Sequence, residues 1–168
     1  PKSDIVPADN VAVQLCTINN CHSHPLAEYV YPSENKDNVP GGYTFEQLIE
    51  EWSAICDNLW VWDYTTNFCS YSSINPYIHN LYDNMQLFIE NDVYEYYMQG
   101  CDASGSPNGE FAELRAYLIG KLLWDPYMTR EEFENYMNGF LCDYYGPGWE
   151  YIRAFIDLAY EQCECEFT

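Results

Sequence analysis

Asn58-Leu59-Trp60-Val61-Trp62-Asp63-Tyr64 is the stretch on which the fold of this chain turns. It is a short apolar run, bounded by Asp57-Asn58 before and Thr65-Thr66-Asn67 after, and it fits a parallel strand covered on both faces. It also ends on a carboxylate. In open α/β sheets and in (β/α)₈ barrels the ligand sits beyond the carboxyl ends of the strands, which is where Asp63 falls. Along the strand Leu59, Val61 and Asp63 share one face, while Trp60, Trp62 and Tyr64 share the other. Bulky branched residues fill barrel interiors, so the Leu59 face is expected to point inward with Asp63 at the mouth.

Working outward, Asn10 to Cys16 reads as a strand before this one and Val93 to Met98 as a strand after it. Between them lie two amphipathic segments. Thr44 with Gln47 makes a capping box ahead of Phe45, Leu48, Ile49, Trp52 and Ile55, and Pro76 opens a helix to Asn91 whose stripe is Ile78, Leu81, Tyr82, Met85, Phe88 and Ile89. Strand, helix, strand, helix, strand is the pattern of a right-handed parallel sheet. The last third is helical: one helix from Asn108 or Gly109 to Trp124, a second capped by Thr129 and Glu132, and a third from Trp149 to about Glu161. Residues 1–9 read as a linker, 10–163 as the domain and 164–168 as a tail, while the connection from Thr17 to Pro40 is long enough to be functional or mobile. The fold class is therefore α/β, with three parallel strands, flanking helices and a helical C-terminal third.

The composition is that of a packed domain, with 48% hydrophobic and 18% aromatic residues among 168. A formal charge of −21 with six basic residues excludes backbone recognition of nucleic acids and attraction to anionic membranes. No apolar run approaches the roughly 20 residues that span a bilayer. Neutral sugars tolerate such a field, and 17 tyrosines with five tryptophans supply flat rings on which sugars stack, although the same rings serve equally as core. The eight cysteines include no C-x-x-C pair, so most are expected to be reduced and buried, Cys16 and Cys142 within apolar patterns.

Cys21-His22-Ser23-His24-Pro25-Leu26, Trp62-Asp63-Tyr64-Thr65-Thr66-Asn67-Phe68, Gly109-Glu110-Phe111-Ala112-Glu113-Leu114-Arg115, Lys121-Leu122-Leu123-Trp124-Asp125-Pro126 and Tyr144-Tyr145-Gly146-Pro147 form a set of motifs. Together they resemble a bacterial domain of unknown function found in proteins described as alpha-glucuronidase-like or glycoside-hydrolase-like. The resemblance spans about residues 10–160 and implies the C-terminal part of a (β/α)₈ (TIM) barrel. One position departs from that pattern: Met98 stands where the family commonly has an acidic residue before the Gln-Gly pair.

Asp63 is accordingly the candidate catalytic residue, with His24, Trp62, Tyr64, Asn67, Gln99 and Glu110 as candidate substrate contacts. Each has an ordinary alternative. Asp63 is equally suited to capping its own loop or pairing with Arg115, Glu95 to a buried salt bridge, and Glu110 to the first turn of a helix. His22 and His24 with Cys16 and Cys21 lack the spaced partners of a zinc site, so no metal is expected. Gly41-Gly42 and Gly146-Pro147-Gly148 are turns, no phosphate loop or G-x-S-x-G elbow occurs, and no cofactor is expected. The expected partner is an oligosaccharide or polysaccharide, with neither nucleic acid nor membrane, and an upstream half of the same barrel. The expected chemistry is glycosidic cleavage by paired carboxyls, the alternative being a barrel that binds or scaffolds sugar without cleaving it. An extracellular or cell-surface setting is favoured over a cytoplasmic one. The expected exposed face of the sheet carries Gln14, Val61, Glu95 and Tyr97, where further strands would close it.

Overall fold

The computed structural model describes residues 6–31, 41–68, 70, 71, 73–100 and 109–163. Three strands, β1 (Val13–Cys16), β2 (Leu59–Tyr64) and β3 (Glu95–Gln99), form an open sheet in the order β1-β2-β3, parallel throughout. Leu15 lies opposite Val61 in the first pair, and Trp62 opposite Tyr97 in the second. Helices α1 (Phe45–Ser53) and α2 (Leu81–Glu90) are the two crossovers, and α3 (Ala112–Trp124), α4 (Arg130–Tyr145) and α5 (Trp149–Gln162) follow.

Local signals explain most boundaries. Thr44 accepts from the Gln47 amide while the Gln47 side chain accepts from the Thr44 amide, and Thr129 and Glu132 repeat the arrangement at α4. Each box satisfies two amides that the first helical turn leaves without partners. Pro76 opens a 3₁₀ turn over Pro76–Asn80 before α2, so the expected single helix has two parts. Asn75 caps that turn because proline lacks the amide that would extend it backwards. Gly146-Pro147-Gly148 forms a further 3₁₀ turn between α4 and α5 instead of an irregular break. α3 begins at Ala112, later than the sequence implies, because Phe111 adopts φ +47, a left-handed conformation costing roughly 1–2 kcal/mol. The Asn108 start lies outside the described residues, as do Cys69, Cys101, Cys165 and the tail 164–168. β1 and β3 are each shorter at the start than the sequence implies, and in the long connection Val30 bridges Thr44 antiparallel.

The core has two parts. Phe45 and Ile49 of α1 and Leu87 and Phe88 of α2 pack on Leu15, Leu59 and Val61. Leu114, Leu118, Leu122, Phe133, Met137, Leu141 and Ile156 gather the last three helices around Leu81 and Met85. Tyr96 and Met98 of β3 touch both clusters. Each fully enclosed side chain of this kind contributes about 1.5–3 kcal/mol relative to its exposed state.

Every sheet residue in these clusters, namely Val13, Leu15, Leu59, Val61, Tyr96 and Met98, lies on one side. The other side bears Gln14, Trp60, Trp62, Tyr64, Glu95, Tyr97 and Gln99, and among the described residues no helix packs on it. This corrects the expected orientation of β2. Val61 is 1% exposed and faces the helices, whereas the tryptophans face the other way, because Phe45 and Ile49 of α1 and Leu87 and Phe88 of α2 fill the space over the Leu59–Val61 side and leave room there for branched residues only. Glu95 is exposed on the open side and makes no buried salt bridge. None of the described cysteines is in a disulfide, but only Cys56 is buried; Cys16 and Cys142 are exposed, since each falls on the outward phase of its element.

Candidate functional site

Two constellations meet at the carboxyl ends of the strands, one on each side of β2. On the open side, Trp62 and Tyr64 are two residues apart, so their rings project together and stack, 5.7 Å between centroids with planes 5° from parallel. Tyr97, opposite Trp62 in the register, sets its ring edge-on to the indole at 5.2 Å. Trp62 Nε1 donates to Gln99 Oε1 at 2.9 Å, fixing both side chains. Phe68 and then Tyr71 extend the line of rings beyond Tyr64, at 5.7 and 5.9 Å. At the other end the face runs down past Trp60, Gln14 and Glu95 into an open concavity. The result is a shelf of flat apolar rings with an amide at its edge.

On the covered side Asp63 is 1% exposed. Its Oδ1 accepts from Thr17 Oγ1 at 2.6 Å and from its own strand's Tyr64 amide at 2.9 Å, and its Oδ2 accepts from the Tyr77 hydroxyl. Asn84 Nδ2 donates to that hydroxyl at 2.9 Å, and Asn84 Oδ1 accepts from the Leu26 amide at 2.8 Å. The carboxylate therefore ties together the ends of β1 and β2, the 3₁₀ turn, α2 and the β1–α1 connection. Burial pushes the Asp63 carboxyl above its ordinary value against the opposing pull of its three donors, and burial beside Asp63 pushes Tyr77 well above the ordinary phenol value. This corrects the placement of Asp63 at the mouth of the site: strand alternation turns it toward the helices, and no Arg115 bridge holds it.

A second polar cluster lies next to this one. His22 Nδ1 sits 2.9 Å from Asn75 Nδ2, its ring edge-on to Tyr77 at 5.1 Å, and Asn80 Nδ2 donates to the His22 carbonyl at 2.8 Å. Burial holds His22 below the ordinary imidazole value, with the Asn75 side chain acting against that direction and the Arg115 guanidinium acting with it. Glu110 Oε1 accepts from the Asn75 amide at 3.1 Å and lies 3.6 Å from Arg115 Nη1, and burial raises its carboxyl. Gly109 is required here: a Cβ would stand 2.9 Å from the Tyr71 carbonyl oxygen and 3.0 Å from Thr66 Oγ1.

Of the residues singled out from sequence, Trp62, Tyr64 and Gln99 share the shelf. Asp63 and Glu110 belong to the buried clusters. Asn67 turns into its own loop, donating to Ser73 Oγ at 3.1 Å and accepting from the Ser70 amide. His24 lies in the β1–α1 connection with Nδ1 3.4 Å from Cys21 Sγ. Tyr97, expected on the open face from its two-residue period with Gln99, joins Trp62, Tyr64 and Gln99 there although it was not singled out as a contact. Thr17, Tyr77 and Asn84 were missed because nothing local marks a side chain whose partner is 46 or 14 residues away in the chain. Among the described residues no group of three or more His, Cys, Asp or Glu converges as metal ligands, and no helix is long and apolar enough to cross a membrane.

Residues 1–157 match the family described as Domain of unknown function (DUF4838). The chain belongs to that family. The match takes in both constellations and ends within α5, so the shelf and the buried clusters are parts of a DUF4838 domain. No curated protein and no solved structure matches the chain.

Proposed function

We propose that this DUF4838 domain is a carbohydrate-active module whose sugar lies on the open face of the sheet, and that this face is the interior of a (β/α)₈ barrel completed by a further part of the polypeptide. The observation that carries the proposal is the stacked Trp62–Tyr64 pair, half-buried on the side of the sheet away from α1 and α2 and bordered by Gln99. Sugar rings present apolar C–H faces to such a surface, and an amide at its edge both donates to and accepts from hydroxyls. Position supports the reading as well, since ligands of parallel sheets gather at the carboxyl ends of the strands. The glycoside-hydrolase-like resemblance of the motifs points the same way.

Cleavage of a glycosidic bond needs two carboxyls about 5–9.5 Å apart. Asp63 is enclosed, and Glu95 is the one carboxylate on the open face of the described strands. In the hydrolase reading Glu95 or a carboxylate from the rest of the barrel therefore acts on the sugar, while Asp63 positions the shelf through the Tyr64 backbone. The enclosure of Asp63 is also what favours the second reading, a barrel that holds sugar without cleaving it.

Titration calorimetry and hydrolysis assays on neutral oligosaccharides, with the intact protein and its Trp62→Ala variant, test the proposal. Binding that weakens at least tenfold in Trp62→Ala supports it, one stacked ring contributing about 1 kcal/mol or more beyond its area. Turnover that falls alongside selects the hydrolase, and binding without turnover in the intact protein selects the scaffold. Unchanged affinity in Trp62→Ala removes the shelf from sugar recognition.

A further inference from the structure

A second ring surface lies on the helices, in a groove of about 320 Å³ built wholly from α3 and α4 with no sheet residue in its lining. α4 contributes two parallel stripes at four-residue spacing: Tyr136, Phe140 and Tyr144 on one, and Asn135, Gly139 and Asp143 on the other. Tyr117 of α3 forms the opposite wall, its ring 5.0 Å from Phe140, and Phe140 stacks on Tyr144 at 5.2 Å and 15°. We propose that this groove is a separate binding site for a neutral oligosaccharide chain.

Three observations carry the assignment. First, Tyr136 and Tyr144 are 38% and 56% exposed, so the core explains the inner rings Tyr117 and Phe140 but not the outer two. The stripe from 136 to 144 is about 12 Å long at 1.5 Å per residue, enough for two sugar rings laid along it. Second, Asn135 and Asp143 stand about 12 Å apart along the groove, an amide that donates and accepts and a carboxylate that accepts, each placed to meet hydroxyls of a different sugar ring. Third, Gly139 stands between them in mid-helix, where glycine is the poorest choice but proline. A Cβ there would meet nothing within 4 Å, so neither packing nor backbone demands glycine, and its effect is to keep the floor open between the two polar groups.

Charge selects the ligand class. The Lys121 ammonium lies over the Tyr136 ring at 4.5 Å and the Tyr117 ring at 5.3 Å. The whole chain remains at −21, which repels anionic glycans and leaves neutral ones. The sheet face plays no part in this argument, and the two sites stand or fall separately.

The test uses the full chain with cellohexaose, xylohexaose and maltohexaose as probes, following backbone amides by NMR and affinity by calorimetry. At least one hexasaccharide is expected to shift the amides of 135–144, and Gly139→Leu to weaken that binding at least tenfold. Because leucine is a better helix former than glycine, the variant should melt no lower than the parent, which separates a filled groove from a damaged fold. Tyr144→Ala, which opens the groove instead of filling it, should lower affinity as well, and Trp62→Ala should leave the shifts at 135–144 in place. The proposal is overturned if none of the three sugars perturbs these amides, or if Gly139→Leu binds like the parent. Loss of binding in Trp62→Ala alone overturns it too, while leaving the sheet face as the sugar site.

Discussion

The two faces of β2 are built from alternate residues of six, yet they do opposite things. Leu59, Val61 and Asp63 are sealed beneath α1, α2 and the 3₁₀ turn, while Trp60, Trp62 and Tyr64 are half-buried on the opposite side with Tyr97 and Gln99 beside them. The covered face holds small branched side chains and then a fully hydrogen-bonded carboxylate. The open face holds the large rings that a core would ordinarily claim. Burial normally follows apolar area, so a strand that hides valine and shows tryptophan spends its best core residues elsewhere. The difference teaches that Asp63 and the shelf are one device: the carboxylate accepts the Tyr64 amide and so holds the strand end on which the shelf rests.

If that division is right, the covered face should respond to mutation in stability and the open face in binding. The largest effect is expected at Asp63. Asp63→Ala deprives the Thr17 and Tyr77 hydroxyls of their acceptor and leaves the Tyr64 amide only the Thr17 oxygen, a loss of about 2–6 kcal/mol when each of the two stranded hydroxyls costs 1–3. Urea unfolding measures it. Asp63→Asn keeps one acceptor oxygen and should lose about half as much. An Asp63→Ala protein of parental stability would make the carboxylate dispensable to the fold and return it to the list of catalytic candidates.

Gly109→Ala should come next, at about 1–3 kcal/mol, because the added methyl meets the Tyr71 carbonyl at 2.9 Å and backbone cannot swing aside as a side chain does. Thermal melting would show it. A neutral result would mean that the Glu110–Arg115 cluster is looser than its distances imply.

A third effect depends on pH. The folded His22 value lies below that of the unfolded chain, so the contribution of the neutral ring is complete above the unfolded value, near 6.5, and is lost as pH falls through the lowered folded value. Asp63 and Glu110 act oppositely: their raised folded values mean that stability rises as pH falls through the window above the ordinary carboxylate range. Comparing the parent with His22→Gln cancels the carboxylates. The parent should lose stability relative to the variant as pH falls below about 6.5, and parallel unfolding curves there would show His22 to be solvated.

Which of these features the sequence disclosed follows from range. Both capping boxes, the helical start at Pro76 and the order of strands and helices depend on neighbours within a few positions and were legible, whereas the 3₁₀ form of the Pro76 turn was not. The pairing of Trp62 with Tyr64 on one face follows from the two-residue period alone. Which face the helices would cover does not, since either Leu59-Val61 or Trp60-Trp62 is apolar enough to be buried, and the choice is made by the shapes of Phe45, Ile49 and Phe88 arriving from elsewhere. The whole error over Asp63 descends from that one choice, because a strand turned by one face moves every side chain to the opposite side. The polar clusters were hidden for a related reason: Thr17, Asp63, Tyr77 and Asn84 are ordinary residues until the fold joins them.

The smallest effect on stability is expected on the open face, at Tyr97, and it is the one that defines the comparison most sharply. Tyr97 is 54% exposed and touches Trp62 edge to face, so Tyr97→Ala forfeits about 0.5–1.5 kcal/mol of ring contact and little buried area. It lies opposite Trp62 in the register, and without it the indole keeps Tyr64 on one side and the Gln99 hydrogen bond but loses its lateral stop. Urea unfolding should therefore move little, while affinity for an oligosaccharide on the shelf should fall several-fold, less than for Trp62→Ala. A variant destabilised as heavily as Asp63→Ala would show that the open face is core after all, awaiting other strands to cover it, and the shelf would then lose its claim to a ligand.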